Sequence, residues 1–198
     1  MKRLGKLFIA LALAAGLTTP AQAGWRLVEK GEERKVAGRM YVTPTEDWNR
    51  STIRPVSRSE VWTRDGRELN DLDFFMGIKD GKPLFRETHR KRAPLPKFDP
   101  AMLPTDIVEW YQDTANIVLG GSLFAITEVK PARLAGYDGV HFAFSYTGSD
   151  NVERKGEVRA AIIDSRLYLI SFDAPSLYYF DRNIGGVRVL MDSARLKR

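Results

Sequence analysis

Cysteine is absent from this 198-residue sequence. The chain therefore cannot form a disulfide, carry a lipid on an N-terminal cysteine, or supply thiolate ligands to zinc. Its two histidines, His89 and His141, are too far apart to form an HExxH or HxxxH motif. Glycine-rich phosphate loops and serine-nucleophile motifs are also missing. We predict no catalytic residue set, no metal site and no other cofactor.

A strong excess of charge is also missing from the part of the chain that we expect to function. The whole sequence carries a net charge of +6. Three of its 31 basic residues, however, precede position 24, which leaves 28 basic against 25 acidic residues, a net charge of +3. Nucleic-acid binding requires a concentrated basic face, so we expect no nucleic-acid partner.

The N-terminus has the pattern of a secretory signal. Lys2, Arg3 and Lys6 precede an uncharged run at residues 7–17, and the small-residue sequence Ala-Gln-Ala ends at Ala23. This order predicts a cleavable signal peptide over residues 1–23. The run is shorter than the roughly 20 residues that a membrane-spanning helix requires, so we expect no transmembrane anchor after cleavage. The predicted location is periplasmic or secreted, as in a Gram-negative bacterium.

Residues 24–198 are predicted to form a single α+β domain, since no repeat or low-complexity linker divides them. Short apolar or alternating segments separated by turns indicate antiparallel strands. Thr45 can cap a short helical turn at residues 46–49. The predicted strands are two short ones within residues 25–42, followed by 59–63, 69–78, 123–129, 140–146, 157–163 and 167–172.

Two helices complete the predicted architecture. Ile107, Val108, Tyr111, Ala115 and Val118 recur at helical spacing, which predicts an amphipathic helix from about residue 105 to 119. A second helix is predicted to start near residue 175 or 183 and to reach the C-terminus. Prolines exclude regular structure over most of residues 82–104. The predicted fold is a twisted antiparallel sheet flanked by two main helices.

Three stretches resemble the PsbP/Mog1/DcrB-like group of α/β/α sandwich domains. They are residues 42–44 with Trp48 and Asn49, the glycine-marked hairpin at 135–139, and residues 167–175 with the aromatic sequence at 178–180. The resemblance implies an accessory or partner-binding protein without a catalytic centre. It transfers no functional residue to this chain.

Tryptophans and one basic run are the candidate binding residues. Tryptophan favours interfaces, so Trp48, Trp62 and Trp110 would mark a binding face if exposed, although Trp48 and Trp62 could instead fill the core. Trp110 lies off the apolar stripe of its predicted helix. A dense basic run lies in the proline-marked segment, residues 82–104, and contains Arg86, Arg90, Lys91 and Arg92. It is either a phosphate-binding loop or a solvated loop.

The leading functional hypothesis is an exported accessory domain without catalytic activity, which engages an envelope protein or an anionic envelope surface. One alternative is an envelope hydrolase that uses carboxylates such as Asp71 and Asp73, which lie on one face of a predicted strand. Another is a peripheral binder of anionic lipid through the basic run. An apolar patch around Trp110 or a groove beside the basic run would favour the leading hypothesis.

Overall fold

The computed structural model of the chain describes residues 24–87, 93–120 and 124–196. The predicted signal peptide and the cations Arg90, Lys91 and Arg92 lie outside these residues. The helices are α1 (Pro104–Val118) and α2 (Tyr179–Asp192). The strands are β1 (Trp25–Val28), β2 (Arg34–Val36), β3 (Met40–Val42), β4 (Trp48–Ser51), β5 (Ser59–Thr63), β6 (Asp71–Ile78), β7 (Ala125–Leu134), β8 (Tyr137–Thr147), β9 (Glu153–Ile163), β10 (Arg166–Pro175) and β11 (Arg195–Leu196).

Eight of these strands form an antiparallel sheet in the order β1-β4-β5-β6-β10-β9-β8-β7. The long strands β7 to β10 form a meander, because each pairs with the next along the chain. Strand β10 then pairs with β6, from far earlier in the chain. The predicted α+β class with an antiparallel sheet and two main helices is confirmed.

The two faces of this sheet carry separate apolar cores. Alternate residues of a strand point to opposite faces. On β10, Ile170 and Phe172 therefore join the core that packs beneath α2, whereas Leu167 and Leu169 join the core beneath α1. Within the described part of the chain, neither helix is long and apolar enough to cross a membrane.

A small second sheet, in the order β11-β3-β2, covers part of the α2 core. It corrects the prediction that the second helix reaches the C-terminus: α2 ends at Asp192, and Arg195 and Leu196 pair with β3. The predicted helical turn at residues 46–49 is also wrong. Trp48 begins strand β4 instead, because its buried indole fills the α2 core while its backbone pairs with Val28.

Helix α2 contains two adjacent glycines that differ in their surroundings. A Cβ atom added at Gly185 would meet nothing within 4 Å, whereas one at Gly186 would lie 2.8 Å from Thr45 Oγ1. Alanine has the higher helix propensity, so we expect Gly185→Ala to raise the free energy of unfolding by about 0.5–1 kcal/mol. Gly186→Ala is the matched control and should gain less or destabilise. Urea denaturation of both variants measures the difference, and equal gains would contradict the packing at Gly186.

Candidate functional site

A cationic groove lies where strand β5 begins and strand β6 ends. It consists of two adjoining hollows, of about 370 and 410 Å³, that share Val56 and Ser57. Ile78, Leu84 and Phe85 contribute apolar surface. The cations that line the groove are Arg54, Arg58, Lys79, Lys82 and Arg86.

Local backbone structure shapes the groove. Gly77 adopts a φ of 83° and is skipped in the pairing of β6 with β10, so it forms a β-bulge that redirects the end of β6. The following segment is held by two backbone hydrogen bonds: Gly81 N–H donates to the Phe98 carbonyl at 2.9 Å, and Phe98 N–H donates to the Lys82 carbonyl at 3.0 Å. The lining residues Lys82 to Phe85 are therefore anchored to the chain that enters α1.

The charge of the groove is not neutralised within the described residues. None of its five cations has an ion-pair partner there, and no carboxylate is among the lining residues of either hollow. By contrast, Arg188 pairs with the buried Glu157 and Arg67 pairs with Asp71. The groove is a positively charged concavity with apolar surface, which suits a negatively charged partner.

A second concavity, the aspartate pocket, lies between α1 and the sheet and has a volume of about 100 Å³. Asp73 of β6 and Asp173 of β10 line it together with Ser171. Its aromatic walls are Phe85, Tyr111, Phe124, Phe144 and Tyr146.

Hydrogen bonds and charge set the chemistry of the aspartate pocket. The Tyr146 hydroxyl donates to Asp173 Oδ2 at 2.8 Å, and the hydroxyls of Tyr111 and Ser171 are hydrogen-bonded at 3.0 Å. Burial raises the pKa of Asp173 to about 6. Burial, with the nearby carboxylates of Asp71 and Asp173, raises the pKa of Asp73 well above its usual value.

The hydrolase alternative paired Asp71 with Asp73, but the structure does not bring these two carboxylates together in one pocket. Asp71 is held by Arg67, whose Nη2 lies 3.0 Å from Asp71 Oδ2, and it does not line the pocket. Asp73 shares the pocket with Asp173, which was not a predicted site residue. One sequence pattern could have indicated Asp173. Ser171 and Asp173 alternate with the apolar Ile170 and Phe172, so they are polar residues on one face of a buried strand.

The raised pKa of Asp173 predicts a pH dependence of stability. The folded state holds this proton more tightly than the unfolded state, so stabilisation is full below pH 4 or so and is lost as the pH rises through about 6. Because Asp173 is partly solvent-exposed, we expect the loss to be about 1–2 kcal/mol. Asp173→Asn should remove this pH-dependent contribution to the free energy of unfolding. The difference in free energy of unfolding between wild type and variant should therefore change across this range, and a pH-independent difference would contradict it.

The three candidate tryptophans do not form an exposed binding face. Trp48, Trp62 and Trp110 are 3%, 0% and 4% exposed. Trp48 and Trp62 fill the α2 core, which was the alternative to a role in binding. Trp110 was singled out because the sequence pattern placed it off the apolar stripe of its helix, but it belongs to the buried residues of α1. It is covered by the proline-marked segment, whose Phe98 ring lies 6.3 Å from the indole. Arg86, by contrast, is exposed and lines the cationic groove.

Sequence comparison identifies no family for this chain: no protein-family model matches it, and no curated protein does so. Structural similarity is clearer. The solution structure of cyanobacterial PsbP (CyanoP) from Synechocystis aligns with a TM-score of 0.52 and 13% identity, over 96% of this chain and 99% of that protein. The fold is PsbP-like.

Two further structures are similar to this chain at lower identity. A protein from Bacteroides thetaiotaomicron aligns with a TM-score of 0.51 and 6% identity, over 85% of this chain and 49% of that protein. LpqN of Mycobacterium tuberculosis, which is described as involved in cell envelope biogenesis, has a TM-score of 0.37 and 12% identity, over 90% of this chain and 82% of that protein. At 13% identity the likeness to CyanoP shows the fold alone, and the function must be argued from this chain's own residues.

Proposed function

We propose that this chain is an exported accessory domain without catalytic activity, and that its cationic groove binds an acidic segment of an envelope protein. The observation that carries the proposal is a cluster of five cations around apolar surface. Within the described residues none of them has an ion-pair partner, and no carboxylate lines either hollow. Complementary charge would steer and orient the segment. An apolar side chain between its acidic residues would enter the 370 Å³ hollow and provide the anchor.

A protein segment fits the groove better than a lipid surface does. The apolar surface of Leu84 is buried and that of Ile78 is half-buried, so both lie recessed among the cations. A projecting side chain reaches such a surface, whereas an intact bilayer contacts protruding residues. Lipid binding is therefore an outcome of the test below and not part of the proposal.

Site-specific photo-cross-linking in living cells tests this proposal. A photo-reactive amino acid replaces Ser57, which lines both hollows, or Ser149, an exposed control serine in the turn between β8 and β9. We expect a defined protein adduct from position 57 alone. Mapping the cross-linked peptide should place the contact in an acidic segment of the partner. Adducts from both positions, or adducts to lipid alone, would overturn the proposal.

Charge reversal provides a second test of the groove proposal. Arg54→Glu with Arg86→Glu changes the groove, and Arg26→Glu with Lys155→Glu makes the same change in net charge at exposed positions elsewhere. The groove variant should weaken binding of a synthetic peptide with the partner's acidic sequence by about tenfold or more, measured by fluorescence anisotropy. The control should bind as wild type does. Replacing Arg90, Lys91 and Arg92 by serine then tests whether the rest of the basic run contributes.

Export has its own test. We propose cleavage after Ala23, supported by the basic, apolar and small-residue order of the N-terminus. Intact-protein mass spectrometry of the periplasmic fraction should find a chain that begins at Gly24. Ala21→Arg with Ala23→Arg should block cleavage, because the site requires small residues. A full-length chain in the cytoplasm would contradict the export proposal while leaving the groove proposal to its own experiment.

A further inference from the structure

The aspartate pocket offers hydrogen-bond acceptors but few free donors. Asp73 Oδ1 is buried and has no hydrogen-bond partner among the described residues. The Tyr146 hydroxyl is already engaged with Asp173, and the hydroxyls of Tyr111 and Ser171 are engaged with each other. A buried acceptor without a donor is costly, so a ligand that brings N–H or O–H groups would complete the site.

No cation is among the described residues that line the pocket. Asp71, Asp73 and Asp173 lie on one face of the sheet, and the nearby cations are occupied. Arg67 binds Asp71 through two nitrogens, while Arg154 donates to the Glu68 carbonyl and pairs with Asp150. The carboxyls of Asp73 and Asp173 therefore have no ion-pair partner within the described residues. A cationic ligand would supply the missing charge.

The walls and size of the pocket restrict the kind of cation. Five aromatic rings line it, and aromatic rings attract organic cations and pack against their alkyl groups. Its 100 Å³ corresponds to about three water molecules of ~30 Å³ each, so only a few heavy atoms fit inside. In the described part of the chain, no three histidine or acidic side chains are arranged to hold a metal ion. These features favour a small organic cation.

We propose that the aspartate pocket binds a primary alkylammonium group, which donates N–H bonds to Asp73 and Asp173 and packs its short alkyl chain against the aromatic walls. A primary ammonium provides both the positive charge and the donors that the pocket lacks. Both aspartates are partly exposed, so the pocket is open to solvent and a longer chain can extend outwards. This site is separate from the cationic groove in charge and in ligand chemistry.

Titration of the mature protein with n-propylammonium chloride, followed by amide NMR, tests the proposal. We expect saturable shifts at Asp73, Ser171 and Asp173. Two matched probes separate the contributions: 1-propanol has the shape without the charge, and tetramethylammonium has the charge without N–H donors. Each should bind about tenfold more weakly or worse, since one unmade buried hydrogen bond has an effect of this size. No saturable shift with n-propylammonium, or equal binding of 1-propanol, would overturn the proposal.

Two variants connect binding to the named atoms. Asp73→Asn should weaken n-propylammonium binding about tenfold or more, whereas Asp113→Asn, at an exposed position on α1, should not change it. Ala115→Leu keeps both carboxylates but fills part of the pocket, so it should also weaken binding. Amide spectra of the free variants check that each is folded. Wild-type affinity in both pocket variants would overturn the assignment.

The pH dependence of binding gives an independent readout. The groups that face the two aspartates are Asp71, Arg67, Tyr111, Tyr146 and Arg154. Binding to ionised carboxylates should strengthen severalfold between about pH 5 and pH 7.5, with proton uptake by the buffer. Calorimetry in buffers of different ionisation enthalpy measures that transfer. Affinity that is constant with pH, with no transferred proton, would contradict binding through these carboxylates.

Discussion

Replacing Glu60 by alanine is expected to lower the free energy of unfolding by about 3–5 kcal/mol, because it removes a buried carboxylate that pairs with the partly buried Arg50 and accepts two hydrogen bonds. The Glu60 carboxylate is 3% exposed. It accepts hydrogen bonds from the Ala37 N–H at 3.0 Å and from Trp62 Nε1 at 2.8 Å. Arg50 Nη1 lies 3.5 Å from it. One side chain thus joins strands β4 and β5 of the large sheet to the chain that follows β2 of the small sheet.

Two controls separate this network from the general loss of a charge. Glu46→Ala removes a carboxylate that is half exposed and pairs with Arg64, so we expect a loss of less than about 1 kcal/mol. Glu60→Gln keeps an acceptor oxygen for one of the two N–H donors and should lose less than Glu60→Ala. Chemical denaturation of the three variants gives the comparison. Equal losses for Glu60→Ala and Glu46→Ala would show that Glu60 does not connect the two sheets as described.

Gly156→Ala should destabilise the protein by about 1–3 kcal/mol, because an added Cβ would overpack the α1 core. That atom would lie 2.1 Å from Phe144 Cζ. The Phe144 ring cannot easily move away, because it stacks on Phe124 at 4.9 Å and lies 5.8 Å from Tyr111. Gly156 therefore provides the flat surface on which a wall of the aspartate pocket rests.

A double-mutant cycle tests the cause of that loss. Phe144→Leu removes the ring and leaves space for the new methyl group. If the clash is the cause, Gly156→Ala should be much less harmful in the Phe144→Leu background than in the wild type, with a coupling energy of about 1–3 kcal/mol. Additive losses would indicate that Gly156 is required for another reason, such as the backbone conformation of β9.

Local sequence features predicted much of the secondary structure. Both limits of helix α1 lie within about one residue of the predicted ones. Its apolar face begins just after Pro104, and proline suits the first position of a helix; it ends just before Gly120, whose φ of 65° stops the helix. The strands of the meander were also predicted, although all four are longer than their predicted segments. Strand β4 was missed, because only its pairing with β1 and the burial of Trp48 make it a strand.

The candidate sites were harder to predict. Arg86 was identified from its basic neighbourhood and does line the cationic groove, but Arg54 and Arg58 come from a different part of the sequence. Asp73 was noticed only beside Asp71. Its true neighbour in the pocket is Asp173, one hundred positions later, and no local pattern indicates which strands will pair.

By itself, the sequence predicted the α+β class, the export signal and the two main helices. Its lack of cysteine also excluded thiol chemistry. These properties depend on composition and on short-range periodicity, which act within a few residues. Only the tertiary structure decided that Trp110 is buried, that the chain after α2 returns as a strand, and which cations and carboxylates meet. Those outcomes depend on strand register between distant segments, and a shift of one residue would move every side chain of a strand to the other face of the sheet.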